Sequence, residues 1–127
     1  MTLAEVKETL QAELLTGDSD LSTEVSSACA ADMMSDVLAY TEPASLLITG
    51  LTNQQTLRTV EIADAVGVVF VRGKRPPAEI IAYANEKKIP LLVTDFCMYD
   101  ACGLLFKKGL CGTTRRVRKI LGKDGCQ

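Results

Sequence analysis

Three times this chain runs a short apolar, β-branched stretch into a small polar turn and then into a helix-length segment. The copies are Ser45-Leu46-Leu47-Ile48-Thr49-Gly50-Leu51-Thr52-Asn53, Val68-Val69-Phe70-Val71-Arg72-Gly73-Lys74 and Pro90-Leu91-Leu92-Val93-Thr94-Asp95. Unbroken apolar runs bounded by turn residues are strands buried on both faces, and helix-length spacers between them make βαβ units. A right-handed crossover then lays each strand parallel to the one before it. The expectation is an α/β fold: a three-layer α/β/α domain with a mostly parallel sheet of four to five strands. Ligands of such sheets sit in the crevice beyond the carboxyl ends of the strands. Here those ends read Thr-Gly-Leu-Thr-Asn, Arg-Gly-Lys-Arg and Thr-Asp.

The remaining elements follow from periodicity and punctuation. Thr2-Leu3-Ala4-Glu5 is a capping box, and apolar residues at helical spacing predict a helix over 3–13. Leu14-Leu15 enters a short strand, and Thr16 to Asp20 turn. Val25 to Ala30 reads as a central strand rich in small residues. A short helix is expected from a Ser35 cap to Tyr40, stopped by Pro43. Strands are expected at 45–49, 68–71 and 90–94. Thr52-Asn53 should cap a helix that Gly67 stops, and Pro76-Pro77 should open a helix over Ala78–Lys87. Asp95 should start a last helix, Met98 to Lys108, ended by Gly109. Residues 1–110 make one domain, and 111–127 a basic extension.

Composition excludes more than it assigns. The 127 residues contain no histidine. That removes Ser-His and Cys-His pairs, histidine bases, histidine metal ligands and phosphohistidine chemistry. Aromatic residues are few, which argues against a base-stacking nucleic-acid platform. No apolar stretch approaches the ~20 residues of a membrane span. The amphipathic start lacks the pattern of a signal peptide, so a cytoplasmic location is expected. Charge is uneven: residues 1–64 carry Lys7 and Arg58 as their bases, whereas Arg115 to Lys123 is a basic run. It reads either as a solvated tail or as an anchor for an acidic partner or nucleic acid.

Four groups of residues could carry chemistry. Thr49, Gly50, Thr52 and Asn53 form the first strand-to-helix turn, which is an anion cradle or merely a capped helix start. Arg72, Gly73, Lys74 and Arg75 crowd three cations into one loop, suited to a phosphate or carboxylate or simply solvated. Thr94 and Asp95 come from the next loop, where Asp95 caps the helix, pairs with Arg72 or orients a ligand ribose. Asp32 and Asp36, with Ser35, offer carboxylates that could hold Mg²⁺ or simply favour a helix start. No metal site and no cofactor is adopted from them. Cys97, Cys102, Cys111 and Cys126 match neither CxxC pairs nor a ferredoxin run, so buried free thiols are expected.

Ala31-Asp32-Met33-Met34-Ser35-Asp36-Val37-Leu38, then Leu46 to Asn53, Gly67 to Gly73 and Ile89 to Asp95, together resemble the DRTGG domain. The resemblance spans roughly residues 3–110. Thr52-Asn53 stands where the family has Asp-Arg, and Val71-Arg72-Gly73 where it has Thr-Gly-Gly. The family is related to the non-catalytic N-terminal domain of HPr kinase/phosphorylase, and occurs alone, in phosphotransacetylases and in regulated inorganic pyrophosphatases. The resemblance implies a regulatory or assembly module, often dimeric, with no established enzymatic activity. The P-loop of the kinase domain is absent, in keeping with that. The expected function is therefore a homodimeric module binding a nucleotide or phosphorylated small molecule. Its ligand residues would be Thr49, Gly50, Thr52, Asn53, Arg72, Gly73, Lys74, Thr94 and Asp95. Stand-alone members are often encoded near iron-only hydrogenase genes. The alternative is therefore a protein-interaction subunit of a redox complex, docking through its last helix or basic tail.

Overall fold

The computed structural model describes residues 1–113. The basic run 115–123 and Cys126 lie outside the described residues. The elements in chain order are α1 (Leu3–Thr9), β1 (Glu13–Leu14), β2 (Ser27–Ala30), α2 (Met34–Tyr40), β3 (Ser45–Thr49), α3 (Gln54–Ala63), β4 (Gly67–Phe70), α4 (Ala78–Lys87), β5 (Leu91–Val93) and α5 (Met98–Lys107). One five-stranded sheet has the order β1-β5-β4-β3-β2. β2 to β5 are parallel, each beside its sequence neighbour, and β1 adds antiparallel to β5.

Every residue of β3, β4 and β5 is buried. Alternation divides them between two cores. Leu46, Ile48, Val69 and Leu92 meet Leu3, Val6 and Leu10 of α1 and Ala101 and Leu105 of α5. Leu47, Val68, Phe70, Leu91 and Val93 meet Val37 of α2, Leu57 and Val60 of α3 and Ile80 and Ala84 of α4. Two helices, five strands and three helices are thus the three layers, as the period-2 and period-3.6 patterns require.

Local chemistry sets the boundaries, and several differ from the sequence expectation. The capping box of Thr2 and Glu5 starts α1. The helix ends early, because Gln11 takes φ 49° in the left-handed region. The small-residue strand β2 lies at the edge of the sheet rather than at its centre. Its outer side is partly covered where the Ala28 N–H donates to the Cys111 carbonyl at 2.9 Å. Ser35 does not cap α2, whose N-cap is Met33 without a side-chain bond. Gly67 does not stop α3: Asp64 takes the left-handed C-cap at φ 56°. Gly67 opens β4 instead, where a Cβ would lie 3.2 Å from the Pro90 carbonyl of the adjacent strand. Lys88 closes α4 in the same left-handed manner. No helix among the described residues is long and apolar enough to cross a membrane.

Candidate functional site

The carboxyl ends of β2, β3, β4 and β5 release four loops along one end of the sheet. They carry Asp32, Thr49 to Asn53, Arg72 to Arg75, and Thr94 with Asp95. The topology therefore gathers the predicted site residues at one end. Their side chains are used in different ways.

Backbone bonds fix the loop after β4. The Arg72 N–H donates to the Phe96 carbonyl at 2.9 Å, Gly73 to Thr94 at 2.8 Å and Lys74 to Val71 at 3.2 Å. These bonds hold Arg72 and Gly73 at φ 60° and 66°. Glycine occupies that region freely, whereas a residue with a Cβ is held there at a cost of roughly 1–2 kcal/mol. Gly73 has a further requirement, since a Cβ would sit 3.0 Å from Asp95 Oδ1. The three cations of the loop then part company. Arg75 grips Glu13 of β1 with two hydrogen bonds, at 2.8 and 3.0 Å. Those bonds hold the Glu13 carboxyl below its ordinary pKa and push Arg75 up. Arg72 and Lys74 are exposed and make no ion pair among the described residues.

The loop after β3 already holds an anion of the protein's own. Asp32 Oδ1 accepts from the Gly50 N–H at 2.7 Å and from the buried Thr49 hydroxyl at 2.9 Å. Thr49 Oγ1 accepts in turn from the Leu51 N–H at 3.1 Å. The space over Gly50 is shared. From the position a Cβ would take, Lys74 Nζ lies at 3.6 Å and the two Asp32 oxygens at 3.6 and 3.7 Å. Asn53 caps α3 by accepting from the Thr56 N–H at 3.3 Å. Thr52 is half-buried beside it. The short separation of Asp32 from Asp36 hid this arrangement in the sequence, because the paired carboxylates suggested a cation. Among the described residues no group of three or more metal-ligating side chains comes together. The partners of Asp32, Thr49 and Gly50, are 17 and 18 residues away, at the end of the neighbouring strand.

Thr94 is buried, and its hydroxyl donates to the Leu10 carbonyl at 2.7 Å while accepting from the Phe96 N–H at 3.3 Å. It ties the end of α1 to the end of β5. Thr94→Val keeps the volume and deletes both bonds, leaving buried backbone groups without that partner. It is expected to lower unfolding free energy by about 1–3 kcal/mol. Equilibrium denaturation measures this. A ligand role for the hydroxyl would instead weaken binding at unchanged stability. Asp95 does not cap α5, whose N-cap is Cys97 without a side-chain bond. The turn through Phe96 places the carboxylate two residues too early, against Gly73.

Two hollows lie elsewhere. One, of about 550 Å³, is at the opposite end of the sheet and is lined by Asp18, Asp64, Lys87 and Lys88 among others. Another, of about 420 Å³, is apolar and lies between α5 and β2, with Ile48, Tyr99, Phe106 and Leu110 in its walls. Cys29, Cys97 and Cys102 are free thiols. Burial, with Cys29 and Cys97 nearby, pushes the Cys102 thiol up, so it stays protonated. Cys111 is disulfide-bonded, and the expectation of free thiols fails there.

The family profile described as the DRTGG domain matches residues 5–105. Among curated proteins none matches. A solved structure shares the fold: the CBS and DRTGG domains of the regulatory region of Clostridium perfringens pyrophosphatase, complexed with the activator diadenosine tetraphosphate. The two are 18% identical with a TM-score of 0.69, over 82% of this chain and 45% of that one. This chain thus spans less than half of that regulatory region.

Proposed function

The chain belongs to the DRTGG family, and from that premise we propose that it is a non-catalytic regulatory module for a small anionic ligand, a nucleotide or phosphorylated molecule. The ligand binds at the carboxyl ends of β3 and β4. The observation that carries this reading is Arg72. The family motif has glycine at this position, and the backbone here is left-handed at φ 60°. An arginine there is held against its conformational preference, with an exposed guanidinium that has no ion pair among the described residues. Gln11, Ala44, Asp64 and Lys88 share that conformation, and what sets Arg72 apart is a cation, unpaired among the described residues, at the carboxyl end of a strand. Lys74 adds a second cation, and the glycine at position 50 leaves room beside it. The solved relative, a regulatory region held with a nucleotide activator, supports the same class of ligand. Absence of histidine and of a P-loop supports the non-catalytic part.

Thermal shift tests it, with ATP, ADP, AMP and pyrophosphate at millimolar concentration without divalent cation. A ligand at a hundred times its Kd stabilises by about 2.7 kcal/mol. No shift with any of the four removes the ligand reading.

A second reading has its own observation. Tyr99, Gly103 and Phe106 lie at i, i+4 and i+7 on α5, and both aromatic residues are exposed. Among the described residues, Gly103 has nothing within 4 Å of its Cβ position. A small residue between two exposed aromatics suits close approach by another protein surface. We assign this face to protein contact, either a second copy in a homodimer or a partner in a redox complex. Light scattering at tens of micromolar distinguishes the two, and a dimer should become monomeric in Tyr99→Glu.

A further inference from the structure

We propose that Asp32 is a built-in competitor for the ligand, a tethered carboxylate occupying the donors that an incoming anion must use. The inference rests on the ligand reading above and names the regulation of that same site. The donors of the β3 loop are the Gly50 N–H and the Thr49 hydroxyl, and Asp32 Oδ1 takes both, at 2.7 and 2.9 Å. Lys74 Nζ faces the same space over Gly50. A negative charge at this point is thus stabilised by a main-chain amide, a hydroxyl and a nearby cation. The protein itself supplies that charge.

The contact is built to open. Asp32 is exposed, in a short loop between β2 and α2. It does not cap α2, whose N-cap is Met33. The start of α2 therefore does not need the carboxylate where it is. Swinging it into water frees the amide and hydroxyl together, and α2 keeps its start.

A tethered group acts at an effective concentration of millimolar or more. A free monoanionic carboxylate competes poorly with it, having the same charge without the tether. A polyphosphate competes well, because its further charges reach Arg72 and Lys74 while one phosphate takes the place of Asp32. The site accordingly selects multiply charged phosphates over carboxylates and monophosphates. The competing carboxylate also prevents weak anions from occupying the site.

The test uses pyrophosphate and ATP as probes, titrated calorimetrically without divalent cation into the full chain and into Asp32→Ala, Asp32→Asn and Arg72→Gly. Asp32→Ala is expected to bind both probes about tenfold more tightly or better, as removal of a tethered competitor requires. Asp32→Asn, which keeps an acceptor and loses the charge, should fall between Asp32→Ala and the parent. Acetate should bind measurably only to Asp32→Ala. Circular dichroism confirms that each variant is folded. Unchanged or weaker probe binding in both Asp32 variants overturns the competitor, and if Arg72→Gly still weakens binding roughly ten- to a hundredfold the ligand reading survives alone. No binding of either probe to any of the four proteins overturns both.

Discussion

Phe70→Ala is expected to lower the free energy of unfolding by about 3–5 kcal/mol, the range for emptying an aromatic site in a packed core. Phe70 is completely buried and is the largest such side chain in the described residues. It belongs to the core that Leu47, Leu57, Ile80, Leu91 and Val93 complete. Three helices and three strands converge there, so neighbours on all sides are already fixed and the hole closes little. A domain has only about 5–15 kcal/mol in total. The loss therefore takes a large share of it, and the variant should melt well below the parent. The site follows, since the Phe70 carbonyl accepts from the Thr94 N–H at 2.9 Å and the chain runs directly into Arg72. Urea denaturation measures the change. A loss below about 1 kcal/mol would show that the core collapses around the gap, contrary to the packing argued here.

Arg72→Gly is expected to separate binding from folding. Glycine takes φ 60° without the clash of a Cβ, so stability should be unchanged or raised by about 1 kcal/mol. Anion binding should fall by about 1.5–3 kcal/mol, the worth of hydrogen bonds to a charged group, or roughly ten- to a hundredfold. Melting temperature and a pyrophosphate titration on the same preparation read both effects. A stability loss with unchanged affinity would make Arg72 a structural residue and remove it from the site. Glycine is the informative replacement, because alanine keeps the strained Cβ and mixes the two effects.

The layers were legible in the sequence because burial imposes a pattern. Leu46-Leu47-Ile48, Val68-Val69-Phe70 and Leu91-Leu92-Val93 could be little but strands covered on both faces. The capping box at Thr2 and the Asn53 cap were legible for the same kind of reason, since each is a local bond between near neighbours. Strand order was not. Ser27-Ala28-Cys29-Ala30 has the small residues of a tightly packed centre, but those residues also suit an edge approached by the backbone of Cys111. The left-handed residues Gln11, Ala44, Asp64, Arg72 and Lys88 escaped prediction, because glycine marks such positions in sequence and none of the five is glycine. Asp95 looked like a cap by spacing alone, and two residues of loop decided otherwise. Asp32 was visible only as half of a carboxylate pair. Its actual contact depends on β2 lying beside β3 in register, Ala30 opposite Ile48.

The way β1 completes the sheet also bears on how the chain assembles as it leaves the ribosome. Thr94 and the Leu10 carbonyl that it bonds are 84 residues apart. β2, β3 and β4 can dock in the order in which they are made, each against the strand before it. The N-terminal arm cannot, because its place on β5 does not exist until residues 91–93 have emerged. At about 5–20 residues per second that wait is on the order of ten seconds, during which Leu3, Val6 and Leu10 have no finished surface to cover. The arm is therefore made before β2 to β5 and is among the last of these elements to find its place. A nascent chain arrested before β5 presents its apolar helix to chaperones and to other nascent chains.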